Sequence, residues 1–183
     1  MGRFAVIDTE TNWNDQVMSI GTVIADEETM KPLDARYHIL TPEYTVGGMF
    51  EGTLFLDSPV RPILCTRAEA LRELKAWFSL LDIRAVFAYN ACFDRNHLPE
   101  LRDCSWYDIM RLAAYRQYNE RIPVDAPCCA TGRLKRGYGV EAMLRLLSGR
   151  CAYCETHNAI HDAIDELKIM QLLGIPIRDY IPL

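Results

Sequence analysis

The sequence predicts a mixed α/β domain, a sheet with helices on its faces, from three observations. Short apolar runs with strand character come first, at RFAVID (3–8), VMSIGTVIA (17–25) and ARYHIL (35–40). A helical apolar period takes over behind the capping-box pattern Thr66-Arg67-Ala68-Glu69. Strand and helix patterns then alternate toward the C-terminus.

Taken in order, RFAVID fits a central strand, with Phe4 and Val6 alternating. The polar turn ADEETMKP separates the second and third runs, and the third ends at Thr41-Pro42. Three successive strands predict an antiparallel meander. Residues 43–65, with Gly47, Gly48 and Gly52, read as one long irregular loop. A loop of that length inside a small domain is often functional. Behind the capping box, Ala68, Leu71, Leu74, Trp77, Phe78 and Leu81 recur at helical spacing. AVFAY (85–89) reads as a buried strand, followed by a helix from about Ala91 to His97 that Pro99 closes. Residues 109–120 are helical in pattern, 121–137 form a Pro/Cys/basic loop, and VEAMLRLL (140–147) is a short helix stopped by Ser148-Gly149. The last helix runs from about Ala159 to Leu173 and ends at Gly174. With no repeat, low-complexity segment or linker, residues 1–183 are expected to form a single domain.

Composition bounds the function classes. Half the residues are hydrophobic and 25% are charged, ordinary for a globular chain. No run approaches the ~18 apolar residues of a membrane span, and MGRFAVIDTETN has no signal-peptide pattern. Val6 stands where myristoylation needs Ser or Thr. The expected location is cytoplasmic, with no membrane partner. The seven scattered cysteines argue against a secreted disulfide framework. Cys151 and Cys154 have zinc-ligand spacing that Cys128 and Cys129 could complete; the other reading is reduced thiols. A net charge of −5 argues against coating nucleic acid by bulk electrostatics. It leaves room for an enzyme that meets phosphate through cations held by carboxylates.

Three acidic signals stand at element ends. Asp8-Thr9-Glu10 closes the first strand, and the period of two sends both carboxylates to the same face. Asp26-Glu27-Glu28 fits the same pattern but reads as a solvated turn. Tyr89-Asn90-Ala91-Cys92-Phe93-Asp94 follows the buried strand and puts Asp94 in a first helical turn, where Asn90 as cap and Asp94 on the dipole is the plain alternative. In HNAIHD (157–162), His157 and Asp162 lie about 140° apart on a helix, so they meet only if Asn158 caps and His157 stays in the loop. His161 and Asp165, four apart, could instead form a surface pair. Carboxylates from such ends could meet at one sheet edge. Each close pair there repels by roughly 4 kcal/mol at 4 Å in an effective dielectric near 20. Cations must fill such a cluster, and hard oxygen ligands suit Mg²⁺ or Mn²⁺.

In this order, FAVIDTET, YNACFD and HNAIHDA resemble the three motifs of the DEDDh 3′–5′ exonuclease superfamily, which includes ribonuclease T, oligoribonuclease and proofreading subunits of bacterial polymerases. The motifs span residues 4–163, and only His157 among the histidines has an Asp five positions later. The resemblance implies a ribonuclease H-like fold, a mixed five-stranded central sheet with helices on both faces. It implies Asp8, Glu10, Asp94 and Asp162 as ligands of two divalent metal ions, Mg²⁺ or Mn²⁺, and His157 as general base. The reaction would be two-metal hydrolysis, with ions about 3.5–4 Å apart, releasing nucleoside 5′-monophosphates from single-stranded DNA or RNA with a free 3′ end. Where many relatives have Gly, this chain has Asn12-Trp13-Asn14. Trp13 could stack on a base or sit in the core. Thr9, Thr11, Trp13, Asn90 and Phe93 are candidate substrate-binding residues, as are Arg133, Lys135 and Arg136, a cluster that reads equally as a solvated basic loop. Relatives often dimerise, so a homodimer is allowed. The competing classes are a non-catalytic nucleic-acid or protein-binding module on the same fold, and a metal-dependent phosphatase of small nucleotides.

Overall fold

A computed structural model of the chain describes residues 2–183. The strands are β1 (Arg3–Thr11), β2 (Val17–Asp26), β3 (Pro32–Leu40), β4 (Ile63–Cys65), β5 (Ala85–Ala88) and β6 (Ser105–Asp108), in the order β4-β3-β2-β1-β5-β6. The expected meander is there: β1 pairs antiparallel with β2, and β2 with β3. The outer pairs β1–β5, β5–β6 and β3–β4 are parallel. Five helices complete the chain: α1 (Arg67–Leu81), α2 (Cys92–His97), α3 (Ile109–Ala113), α4 (Val140–Ser148) and α5 (Ala159–Leu173).

Strand alternation divides the core in two. Phe4 and Val6 pack on one face of the sheet with Val140, Leu144, Ile160 and Leu167 of α4 and α5. Ala5 and Ile7 pack on the other with Leu71, Leu74 and Phe78 of α1. Helix α1 begins as its sequence predicts: the Glu69 carboxylate accepts the Thr66 N–H at 2.9 Å, and Thr66 Oγ1 accepts the Glu69 N–H at 3.3 Å. Its buried stripe includes Ala70 in place of the expected Ala68. Among the described residues no helix is long and apolar enough to cross a membrane.

Three expectations are corrected. The sheet has six strands, not five, because β4 lies inside the supposed irregular loop 43–65 and β6 was not legible at all. Both are short parallel additions of three and four residues, too brief to display a period of two. The helix expected over 109–120 stops at Ala113. Asn119 folds back so that its side-chain amide donates to the Ala113 carbonyl at 2.6 Å, and Tyr115 bridges to Arg133 instead of continuing the helix. The remaining helices start and end within a residue or so of their patterns, α5 included.

The start of α5 rests directly on β2. A Cβ built on Gly21 would come within 2.0 Å of the Ala159 carbonyl oxygen and 2.4 Å of the Ile160 nitrogen, both backbone atoms that cannot rotate away. Gly21→Ala should therefore force α5 off the sheet and lower stability by about 1–3 kcal/mol, the usual cost of overpacking. Thermal melting of the variant reads this, and an unchanged Tm would mean that the helix is not seated there.

Candidate functional site

Asp8 and Glu10 leave the end of β1 on the face covered by α5, as their spacing requires. Thr9, between them, turns the other way, and its hydroxyl donates to Asp94 Oδ1 at 2.8 Å. Asp94 lies in the first turn of α2 and is only 2% exposed. Asn90 does not cap that helix. The cap position is Ala91, and Asn90 sits in the left-handed region at φ 63° with its N–H donating to Asp108 Oδ1 at 3.0 Å.

Asn158 is the N-cap residue of α5, so His157 stays in the preceding loop. The Asn158 side-chain amide does not cap. It donates instead to the Thr53 carbonyl at 2.7 Å and to the Tyr37 hydroxyl at 3.0 Å. These bonds pin the junction, and His157 adopts φ 55°, an uncommon conformation for a side-chain-bearing residue. Its ring stacks on Phe50 with centroids 4.2 Å apart and planes 17° from parallel, and its carbonyl accepts the Thr53 hydroxyl. Glu10, His157 and Asp162 each offer one ligand-type atom, and these lie within 4.8 Å of one another. His161 points elsewhere: Nε2 lies 2.9 Å from the Asp57 carbonyl. The surface pair with Asp165 does not form, because Asp165 accepts the Tyr153 hydroxyl.

These groups line one cleft of about 400 Å³, which brings Asp8, Glu10, Asp94, Asp162 and His157 together with Thr9, Thr11, Asn12, Trp13, Met49, Phe50, Tyr89, Asn90, Phe93 and Glu155. Trp13 is 66% exposed on its rim, which rules out the core reading. Asn12 builds the turn beneath it, its side-chain oxygen accepting the N–H groups of Asn14 and Gln16 at 2.9 and 3.0 Å. Arg133, Lys135 and Arg136 do not line the cleft. Arg133 stacks over the Tyr138 ring at 4.4 Å, and the Tyr138 carbonyl accepts the hydroxyl of the cleft-lining Tyr89. Among the described residues no cysteines gather into a metal-type cluster.

The electrostatics are one-sided. Burial lifts Asp162 to about 8, with Glu155 and Glu10 adding to it. Burial, then Glu155 and Asp94, lifts Glu10 to about 7. Asp94 also reaches about 7 through burial, held down in part by the Thr9 hydroxyl. Asp8 is raised well above the carboxylate range by burial, then by Glu166, Asp94, Asp162 and Glu10. Asp8 Oδ2 and Asp162 Oδ1 are buried with no hydrogen-bond partner. Unpartnered buried carboxylate oxygens are costly unless a cation meets them, and this all-oxygen donor set fits Mg²⁺ or Mn²⁺.

Sequence reasoning missed two carboxylates and the group that holds the histidine. Glu155 lines the cleft, with its N–H donating to Glu141 at 3.0 Å; no pattern marks it. Glu166 is 1% exposed on α5, and its place one helical turn after Asp162 was a usable signal. Phe50 and Thr53 come from the loop 43–65, whose length alone hinted at a role.

No family model matches the chain, and no curated protein does. Solved structures do. The nuclease domain of 3′hExo, a DEDDh family member bound to rAMP, superposes with a TM-score of 0.68 at 12% identity, covering 99% of this chain and 96% of that one. Exonuclease X in complex with 5′ overhanging duplex DNA matches at a TM-score of 0.52 and 19% identity, over 94% of this chain and 93% of that one. E. coli Exonuclease I in complex with a dA16 oligonucleotide matches at 0.60 and 12%, over 97% of this chain but only 42% of the other. The fold is thus the ribonuclease H-like fold of the DEDDh exonucleases.

Acids whose pKa is higher in the folded than in the unfolded chain hold protons more tightly when folded. Their contribution to stability is full below about pH 4 and is lost as pH rises through the folded values near 7 and 8. Acids lowered by folding, such as Glu69 and Glu141, change stability only below that window. With chelator present, Tm should fall between pH 5 and 8, and less so in Asp8→Asn. Mn²⁺ at about 100 times its Kd should raise Tm by roughly 5–10 °C at pH 8 and by less at pH 5. A flat profile with equal shifts at both pH values contradicts the convergence of the acids.

Proposed function

We propose that the chain is a divalent-metal-dependent 3′–5′ exonuclease that hydrolyses the terminal phosphodiester of single-stranded or short DNA or RNA to nucleoside 5′-monophosphates. The observation that carries this reading is the convergence of Asp8, Glu10, Asp94, Asp162 and His157 in one cleft, with buried carboxylate oxygens left without partners. Structural neighbours solved with rAMP, with dA16 and with overhanging duplex DNA support it as company in fold.

Asp8, Glu10, Asp94 and Asp162 would hold two cations. When bound, such cations lower the pKa of water and offset charge on the leaving oxygen. The protein's own contribution is orientation and proton transfer. His157, held by Phe50 stacking and by the Thr53 bond to its carbonyl, faces the space beside Glu10 and Asp162 without being on the helix. From there a ring nitrogen would accept the proton of the attacking water. Thr9 keeps Asp94 aimed into the site. The exposed rim of Trp13, Met49 and Phe93 supplies faces on which the terminal base would stack. A net charge of −5 fits a substrate held at a few phosphates at the site, not along a long basic track.

The deciding assay is digestion of linear and circular single-stranded DNA and RNA labelled at internal phosphates, with and without Mn²⁺. Mononucleotide release from a free 3′ end is expected, with none from a covalently closed circle. Asp8→Ala should abolish it in a folded protein; normal turnover by that variant, or efficient cleavage of the circle, sinks the reading. A non-catalytic module would release nothing, and a phosphatase would act on mononucleotides alone.

His157→Ala should lower turnover by about 10²-fold or more, the scale of a lost general base. His161→Ala, which loses only a bond to the Asp57 carbonyl, should retain most activity. The reverse pattern would reassign the base.

A further inference from the structure

Glu166 sits where a packed helix ordinarily carries an apolar side chain. Its buried neighbours on α5 include Ala163, Leu167, Ile169 and Met170. It lies one turn after Asp162, so the two carboxylates project from the same helix face. Burial raises its carboxyl well above the usual range, and Asp94 and Asp162 add to that. Glu166 Oε2 is buried and has no partner, and neither has Asp8 Oδ2. Of the charged groups around Asp8, Glu166 weighs most. No ion pair among the described residues includes Glu166 or Asp8.

A carboxylate 99% removed from solvent, beside another carboxylate and facing no base, is costly in any fold that does not supply a counter-charge. The unpartnered Oε2 is buried on α5, which packs against β1, one turn beyond the cleft-lining Asp162. Hard anionic oxygens brought together from β1 and α5 are the donor chemistry of a hexacoordinate divalent cation.

We propose that Glu166 is a fifth carboxylate of the cation centre, a ligand that meets the cation from the buried side of Asp8. This rests on the reading of the cleft as a divalent-cation site. It predicts tighter cation binding than the four motif acids provide.

The test is Mn²⁺ binding to the metal-free protein, followed by the EPR signal of free Mn²⁺ or by calorimetry, with no substrate present. Glu166→Gln keeps the length and one oxygen acceptor, and should weaken Mn²⁺ binding by about 10-fold or more. Glu166→Asp keeps the charge but withdraws the oxygens by one methylene, and should also lose most of that affinity. Glu166→Met is a neutral variant of similar length should the Gln variant fail to fold, as judged by circular dichroism. Wild-type affinity in the neutral variants overturns the proposal. So does wild-type affinity in Glu166→Asp alongside loss in Glu166→Gln, since the residue would then act by charge alone. Asp8→Asn separates the premise: if that variant also binds Mn²⁺ normally, the cation reading of the cleft fails with it.

Discussion

The contact on which the site depends is made between backbones. The first turn of α5 lies so close to β2 at Gly21 that no side chain fits between them. Gly21 is also the cross-strand partner of Asp8 in the β1–β2 ladder. One close approach therefore sets the helix carrying Asp162 and Glu166 against the strand carrying Asp8 and Glu10. The ladder fixes the strand's register, and the glycine fixes the helix's height above it. Carboxylates that belong to distant parts of the chain acquire their separation from these two constraints.

That arrangement works against the stability of the empty protein. Every acid in the cleft whose pKa shifts is raised, and in each case burial is the first cause. A sheet buried on both faces gives its central strand ends little access to water, so charge placed there is desolvated whatever its partners. The fold pays for this with two apolar cores, one on each side of β1 and β2. The positions of these acids come from the sheet and from the helix seated on it, and not from any bound group.

Preorganisation extends to the histidine by a different route. The loop 43–65 has little regular structure, yet Phe50 stacks on the His157 ring and Thr53 bonds both to its carbonyl and to the Asn158 amide. A residue outside the helix is thus fixed by contacts from a distant loop, and its ring is left beside Glu10 and Asp162. The left-handed conformation of His157 is sustained by these contacts.

Much of this was legible in the sequence, because it depends on local periods. Alternation assigned β1 to β3 and sent Asp8 and Glu10 to the same face; the helical period and the capping box located α1 and α5; the offset of His157 from Asp162 required a loop position that the structure bears out. What remained hidden depends on partners far along the chain. Strands β4 and β6 are too short to carry a period and exist because β3 and β5 offer them edges. Helix α3 ends early because Asn119 returns to its last carbonyl. Trp13 is a rim residue because no core lies above its turn, and Glu166 joins the acids because α5 is pressed onto Gly21. Sequence alone determined which side chains leave each element and on which face, since backbone geometry repeats every two or 3.6 residues. Only the tertiary structure decided which faces meet, since that is settled by long-range packing that no local period encodes.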